Sequence, residues 1–131
     1  MLPRFLLDTH VVLRWLGDPK KLSRPQFRVL ETAVLRTEPV AISAISLIEI
    51  AILVSDGRIK SSLDELFEKL QANPVFRIFP LTYEIATEIA YLGSLRDPAD
   101  RAIVATARAH RLQLVTSDQR IIESNLVPVI E

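Results

Sequence analysis

The sequence predicts an α/β domain built on a parallel sheet. Two observations carry this. Short apolar runs such as Phe5–Leu7, Val40–Ile42 and Leu112–Thr116 alternate with longer stretches whose apolar residues recur at helical spacing, which is the pattern of βα units. The chain has 131 residues, 49% of them apolar and 24% charged, which suits one ordinary globular domain with a real core. No internal repeat, linker or low-complexity tract divides it, so residues 1–131 are expected to form a single layered domain.

Taken in order, Phe5-Leu6-Leu7 reads as a first strand ending at Asp8. Thr9 can cap a short helix through Leu16, which Gly17, Asp18 and Pro19 stop. Ser23, with Pro25 two places on, starts a second helix carrying Phe27, Leu30, Val34 and Leu35 on its apolar side. Val40-Ala41-Ile42 is a short strand. Ser46 then opens a strongly apolar helix that Asp56-Gly57 ends. Leu63, Leu66, Phe67 and Leu70 mark an amphipathic helix closed by Asn73-Pro74. Phe76 to Leu81 is strand-like, and Thr82 caps a helix in which Ile85, Ile89 and Leu92 recur. Pro98 opens a helix through His110, with Ile103 and Val104 inward and Arg101, Arg108 and Arg111 toward water. Leu112 to Thr116 is a strand ending at Ser117-Asp118. Val127 to Ile130 is a final edge strand, the only sheet position that tolerates Pro128.

Composition excludes several classes. Sixteen basic and sixteen acidic residues cancel, so contact with nucleic acid must use a local patch. Without cysteine there are no disulfides, thiolate chemistry or zinc–cysteine sites, which suits a reducing cytoplasm. The N-terminal apolar run ends at Asp8 and is expected not to be a signal peptide. The apolar stretch from Ile42 to Val54 is broken by Ser43, Ser46 and Glu49 and is expected not to span a membrane. The reading is a soluble, cytoplasmic protein.

Four carboxylates stand out by position. Asp8 and Asp118 follow the C-terminal ends of two predicted strands, where ligands bind in open α/β sheets. Glu49 falls in the first turn of the helix after Val40–Ile42, and Asp100 in the first turn of the helix opened by Pro98. Each has a simpler explanation. Ser46-Leu47-Ile48-Glu49 fits a capping box. Asp97-Pro98-Ala99-Asp100 fits a cap, an N1 proline and an acid favoured by the helix dipole. Asp8 and Asp118 could each end a strand in a turn. The set is harder to dismiss. Neighbouring strands are about 5 Å apart, and two carboxylates at about 5 Å repel by about 3 kcal/mol at an effective dielectric near 20. Gathering four requires protonation or a cation. Oxygen ligands with no cysteine and two histidines point to Mg²⁺ or Mn²⁺. His10 and His110 lack a zinc-like spacing, and His110 suits a dipole partner at a helix end.

The segments Phe5-Leu6-Leu7-Asp8-Thr9-His10, Ser43 to Ala51, Arg96-Asp97-Pro98-Ala99-Asp100-Arg101 and Leu114-Val115-Thr116-Ser117-Asp118 resemble the four motifs of PIN domains. The similarity is greatest to VapC-type toxins of toxin–antitoxin systems and covers nearly the whole chain, in the family's order. It implies a three-layer α/β/α PIN-like domain with a central, mainly parallel sheet of four to five strands flanked by helices. It also implies a Mg²⁺- or Mn²⁺-dependent endoribonuclease whose acidic quartet is Asp8, Glu49, Asp100 and Asp118. Thr9 and Thr116 correspond to the family's hydroxyl supports near the metal, and Asp97 is the better cap, placed behind the ligands. Many relatives have Trp where this chain has Ile48, and His where it has Leu95. Neither replaces a metal ligand, and the second bears on substrate contacts.

No Ser/His/Asp arrangement and no cysteine nucleophile is present, so metal-activated water attacking a phosphodiester is the expected chemistry. Arg14, Arg96, Arg101 and Arg120 are the candidates to hold RNA, Arg101 first because it follows Asp100 directly. The helices around Ile45–Val54 and Leu63–Leu70 look more apolar than one buried face needs. The resemblance makes that surplus a surface for a homodimer and for a VapB-type antitoxin, which could block the acidic site with a basic side chain. Among rivals, a haloacid-dehalogenase-type phosphatase needs a second Asp where this chain has His10. A receiver-type phosphoacceptor needs a late lysine that is missing after the strands. A silent RNA-binding PIN-like module would work against four uncompensated acids.

Overall fold

Phe5–Leu7 forms β1, the middle strand of a five-stranded sheet in the computed structural model, which describes residues 1–131. With β2 (Val40–Ser43), β3 (Phe76–Phe79), β4 (Gln113–Val115) and β5 (Val129–Ile130) the order is β3-β2-β1-β4-β5. Every pairing is parallel, including Leu7 beside Ile42 on one side and beside Val115 on the other. The helices are α1 (Thr9–Gly17), α2 (Arg24–Arg36), α3 (Ala44–Ser55), α4 (Leu63–Ala72), α5 (Tyr83–Ile89), α6 (Pro98–His110) and α7 (Gln119–Ser124). A 3-10 turn at Pro19–Lys21 lies between α1 and α2.

Alternation along the strands makes the three layers. Leu6, Ala41 and Leu114 point to one face and pack with Ile85, Ile103, Ala107 and Ile121 from α5, α6 and α7. Leu7, Ile42 and Val115 point to the other and pack with Val11, Leu30, Ile50 and Leu66 from α1 to α4. Leu6, Leu7, Ile42 and Leu114 are fully buried, each contributing about 1.5–3 kcal/mol of transfer free energy. The expected α/β/α architecture is present, and the sheet is wholly parallel. No helix is long and apolar enough to cross a membrane.

Helix starts differ from expectation in three places, each for a local reason. Asp8, not Thr9, caps α1: its side chain accepts from the Thr9 amide at 2.8 Å, which puts Thr9 inside the helix. Ser43, not Ser46, caps α3, because β2 runs through Ser43 and its own hydroxyl accepts from the Ile45 amide at 3.2 Å. Glu49 therefore lies in the second turn, and the capping-box explanation for it falls away. A third helix, α7, is short and follows Asp118 directly, where the sequence reading placed none. The helical pattern after Ile89 tightens instead of continuing, with Tyr91 and Leu92 amides donating to Glu88 and Ile89 carbonyls at 3.0 Å.

Candidate active site

The strand order reverses direction between β1 and β4, since the chain goes outward from β1 to β2 and β3, then returns to the far side of β1. Such a switch point opens a crevice beyond the carboxyl ends of the strands. Asp8 stands at the end of β1, and Thr116, Ser117 and Asp118 at the end of β4. The N-terminal part of α6 contributes Asp97 and Asp100, and α3 contributes Glu49. Topology thus brings all four acids of the quartet to one crevice.

Asp8 is 5% exposed and fully held. Its Oδ1 accepts from the Thr9 amide, and its Oδ2 accepts from Thr116 Oγ1 at 2.7 Å. The same buried Thr116 hydroxyl accepts from the Asp118 amide at 3.0 Å, tying the end of β4 to Asp8. Thr9 is also buried; its Oγ1 donates to Glu49 Oε1 at 2.5 Å and lies 2.8 Å from Ser46 Oγ. Each threonine hydroxyl thus donates to one acid of the quartet, Thr9 to Glu49 and Thr116 to Asp8. Ser46, read as a cap, is instead part of the support of Glu49.

The Asp97 side chain accepts from the Ala99 amide at 2.8 Å and the Asp100 amide at 3.2 Å, so it is the cap of α6. Asp100, in the first turn, is left without a backbone partner. Burial, then the charges of Asp97, Asp118 and Asp8, push its carboxyl up to about 6, with Arg120 pulling the other way. Burial also raises Glu49, opposed by the Thr9 hydrogen bond and reinforced by Asp8 and Asp97. In both shifts burial is the main cause, and neighbouring carboxylates add to it.

Arg120 is the local counter-charge. Its Nη2 lies 3.1 Å from Asp118 Oδ2 and 3.5 Å from Asp100 Oδ2, while its side chain is 72% exposed. Asp118 caps α7 by accepting from the Arg120 amide at 3.0 Å. Burial alone would raise Asp118, but the side-chain and backbone hydrogen bonds from Arg120, with its charge, outweigh that and hold the carboxyl below its usual range. No three His, Asp or Glu side chains form a group ready to hold a metal ion.

His10 is a contributor that sequence spacing did not reveal. Its Nε2 accepts from the Ser117 amide at 2.9 Å, which puts the proton of the neutral ring on Nδ1, 3.5 Å from Asp8 Oδ2. Burial, chiefly, lowers its pKa, against the pull of Asp8. Gln26 is another: fully buried, it donates from Nε2 to Ser117 Oγ at 2.8 Å and so braces the same loop from α2. Of the arginines, Arg96 is exposed and precedes Asp97 in the chain, and Arg14 is half-buried one turn beyond His10. Arg101 turns away, its Nε donating to the Leu95 carbonyl and its Nη2 lying 3.5 Å from the Gly93 carbonyl, so it fastens the loop before α6.

Residues 5–124 match the family described as PIN domain. The chain is 36% identical over 118 residues to Ribonuclease VapC22 of Mycobacterium tuberculosis, covering 88% of each protein. Its fold is similar to that in the crystal structure of VapBC2 from Rickettsia felis bound to a promoter DNA fragment, with a TM-score of 0.75, 17% identity and 96% of each chain covered. It is similar also to the structure of FitAcB from Neisseria gonorrhoeae, with a TM-score of 0.72, 26% identity, and 97% and 96% of the two chains covered. With its order of motifs, its all-parallel sheet and its crevice of acids, the chain belongs to the PIN domain family.

Proposed function

We propose that this chain is a VapC-type ribonuclease toxin, one domain over residues 1–131, that cleaves RNA in the cytoplasm and is neutralised by a VapB-type antitoxin. The observation that carries the reading is the convergence of Asp8, Glu49, Asp100 and Asp118 from four elements on one crevice, with Asp100 raised to about 6. The 36% identity to a ribonuclease over 88% of the chain supports the same chemistry.

The donor set fits Mg²⁺ or Mn²⁺: hard carboxylate oxygens, no sulfur, and a surplus of negative charge. Arg120 acts as a stand-in cation, spanning Asp100 and Asp118 from an exposed side chain. Asp8, Asp100 and Asp118 would be the main ligands, with Glu49 binding directly or through water. When bound, the ion supplies a water of lowered pKa and neutralises charge developing on the phosphodiester. The chain's own residues do the rest. Thr116 and the Thr9 amide fix the Asp8 carboxylate, and Thr9 Oγ1 fixes Glu49. Asp97 orients the first turn of α6 and adds charge that keeps Asp100 attractive to cations. Arg96, Arg14 and Arg120 would meet RNA phosphates, and Arg101 would shape the rim through the loop it fastens.

For partners, Ile48 and Ile52 are half exposed on one stripe of α3, and Ile78 is exposed on the edge strand β3. Ile78 also lines an apolar groove of about 110 Å³ with Leu47, Phe67 and Phe76. This is the surplus the sequence pointed to, and it suits a homodimer contact or an antitoxin segment. The test is expression of the chain alone in a bacterial host. Wild type should arrest growth and Asp8→Asn should not, and equal toxicity from both would count against a nucleolytic toxin.

A further inference from the structure

On the nuclease reading above, the acids raise a difficulty. A strand of phosphates approaching Asp8, Glu49, Asp100 and Asp118 is repelled by them, and the chain has no net positive charge to offset this. A cavity of about 460 Å³ beside the site answers it, lined by His10, Arg14, Asp18, Lys21 and Arg58 among others. It begins at His10, whose Nδ1 is 3.5 Å from Asp8 Oδ2, and runs along α1 away from the acids. Arg14 lies one turn after His10, on the same face of α1, close enough that its charge lowers the His10 pKa. Lys21 comes from the 3-10 turn and Arg58 from the segment between α3 and α4, so three separate elements deliver cations to one hollow.

These cations are not spent on internal pairing. The ion pairs of the molecule involve His10, Arg108 and Arg120, and none involves Arg14, Lys21 or Arg58. The only acid lining the cavity is Asp18. In a chain whose charges cancel overall, a hollow with three free cations and one acid next to the reacting centre is a local basic patch.

We propose that the cavity formed by His10, Arg14, Lys21 and Arg58 is a phosphate-binding subsite that seats single-stranded RNA beside the scissile bond. An acidic protein segment would meet the same cations, but continuity with the carboxylate crevice through His10 favours a polyanion that must enter both. Sequence position alone does not single out Lys21 and Arg58, because only folding brings them beside α1.

The test is binding of a short fluorescein-labelled single-stranded RNA, read by anisotropy against salt concentration with chelator present so that nothing is cleaved. Lys21→Ala/Arg58→Ala is compared with Arg4→Ala/Arg28→Ala, an equal charge loss at a cavity near the starts of β1 and β2. All four side chains are exposed, and matching melting temperatures check that both variants fold. The first pair should weaken binding and make the slope of log K against log salt shallower by about 1.4, two phosphate contacts at roughly 0.7 each. The second pair should leave the slope at its wild-type value. Equal slopes for both pairs, with wild-type RNA binding intact, would overturn the subsite and leave the nuclease reading standing. Absence of any salt-dependent RNA binding by wild type would overturn both. Loss of polyglutamate binding with RNA binding unchanged would overturn the subsite in favour of an acidic protein ligand.

Discussion

Thr116 Oγ1 donates to Asp8 Oδ2 across 2.7 Å, joining residues 108 positions apart at the ends of two neighbouring strands. The same oxygen accepts from the Asp118 amide, so one hydroxyl sets two of the four acids. Thr116→Val keeps the shape and removes the bond, leaving a buried carboxylate short of a donor. It should cost about 1–3 kcal/mol in denaturant unfolding and reduce RNA cleavage by roughly 10- to 100-fold, as losing a group that orients a metal ligand does. Thr116→Ser should restore both. A Val variant as stable and active as wild type would remove Thr116 from the site.

Asp100 gives a pH dependence with a definite sign. Its carboxyl is raised from 3.8 to about 6, so the native chain holds this proton more tightly than the unfolded chain. Between those values the native state binds more protons, and stability falls as pH rises through the window. Below it the contribution is fully present, and above it the penalty is complete. Asp100→Asn should therefore stabilise the cation-free protein above about pH 6 by on the order of 1–2 kcal/mol, discounted for solvent screening. Near pH 4 it should change little. Urea melts across the range measure this, and a gain that does not vary with pH would contradict the assigned shift.

Arg120 competes with any cation for Asp100 and Asp118. Arg120→Ala removes the hydrogen bonds that hold Asp118 low and the charge that restrains Asp100, concentrating negative charge in the crevice. Titration calorimetry with Mn²⁺ above the Asp100 midpoint should show tighter binding than wild type. The melting temperature should rise further on adding the ion, because binding to the native state adds stability. Weaker binding would mean that Arg120 orders the acids instead of occupying their place.

The apolar stripe on α3 predicts a separable surface. Ile48 and Ile52 are 51% and 53% exposed, so Ile48→Asp/Ile52→Asp should leave the melting temperature within a narrow range of wild type. On the proposal that this stripe is a homodimer contact, the pair should abolish self-association in light scattering. A dimer of unchanged strength would place the contact elsewhere.

Much of this was legible in the sequence because it depends on short-range chemistry. Asp97 before Pro98 reads as a cap, and as a cap it puts Asp100 in the first turn of α6. Strand runs followed by acids read as a crevice because parallel sheets put their carboxyl ends together. What could not be read depended on choices between equal local signals. Ser43 and Ser46 are both good caps, and only the extent of β2 decides for Ser43. Asp8 and Thr9 pose the same choice, settled when Asp8 accepts from the next amide. The short helix α7 has too few residues to show a period, so Arg120 looked like a rim arginine and not a bridge between two acids. His10, Gln26 and Ser117 meet only through the fold, at separations that no local pattern encodes.

The central claim is that the converged acids cleave RNA through a bound divalent cation. The most direct measurement is cleavage of a single-stranded RNA by purified wild type and Asp100→Asn, each with Mn²⁺ and with chelator. Wild type with Mn²⁺ should cut the RNA, and the other three reactions should fall together to background. Cleavage that survives chelation, or an Asp100→Asn protein that cuts like wild type, would contradict it.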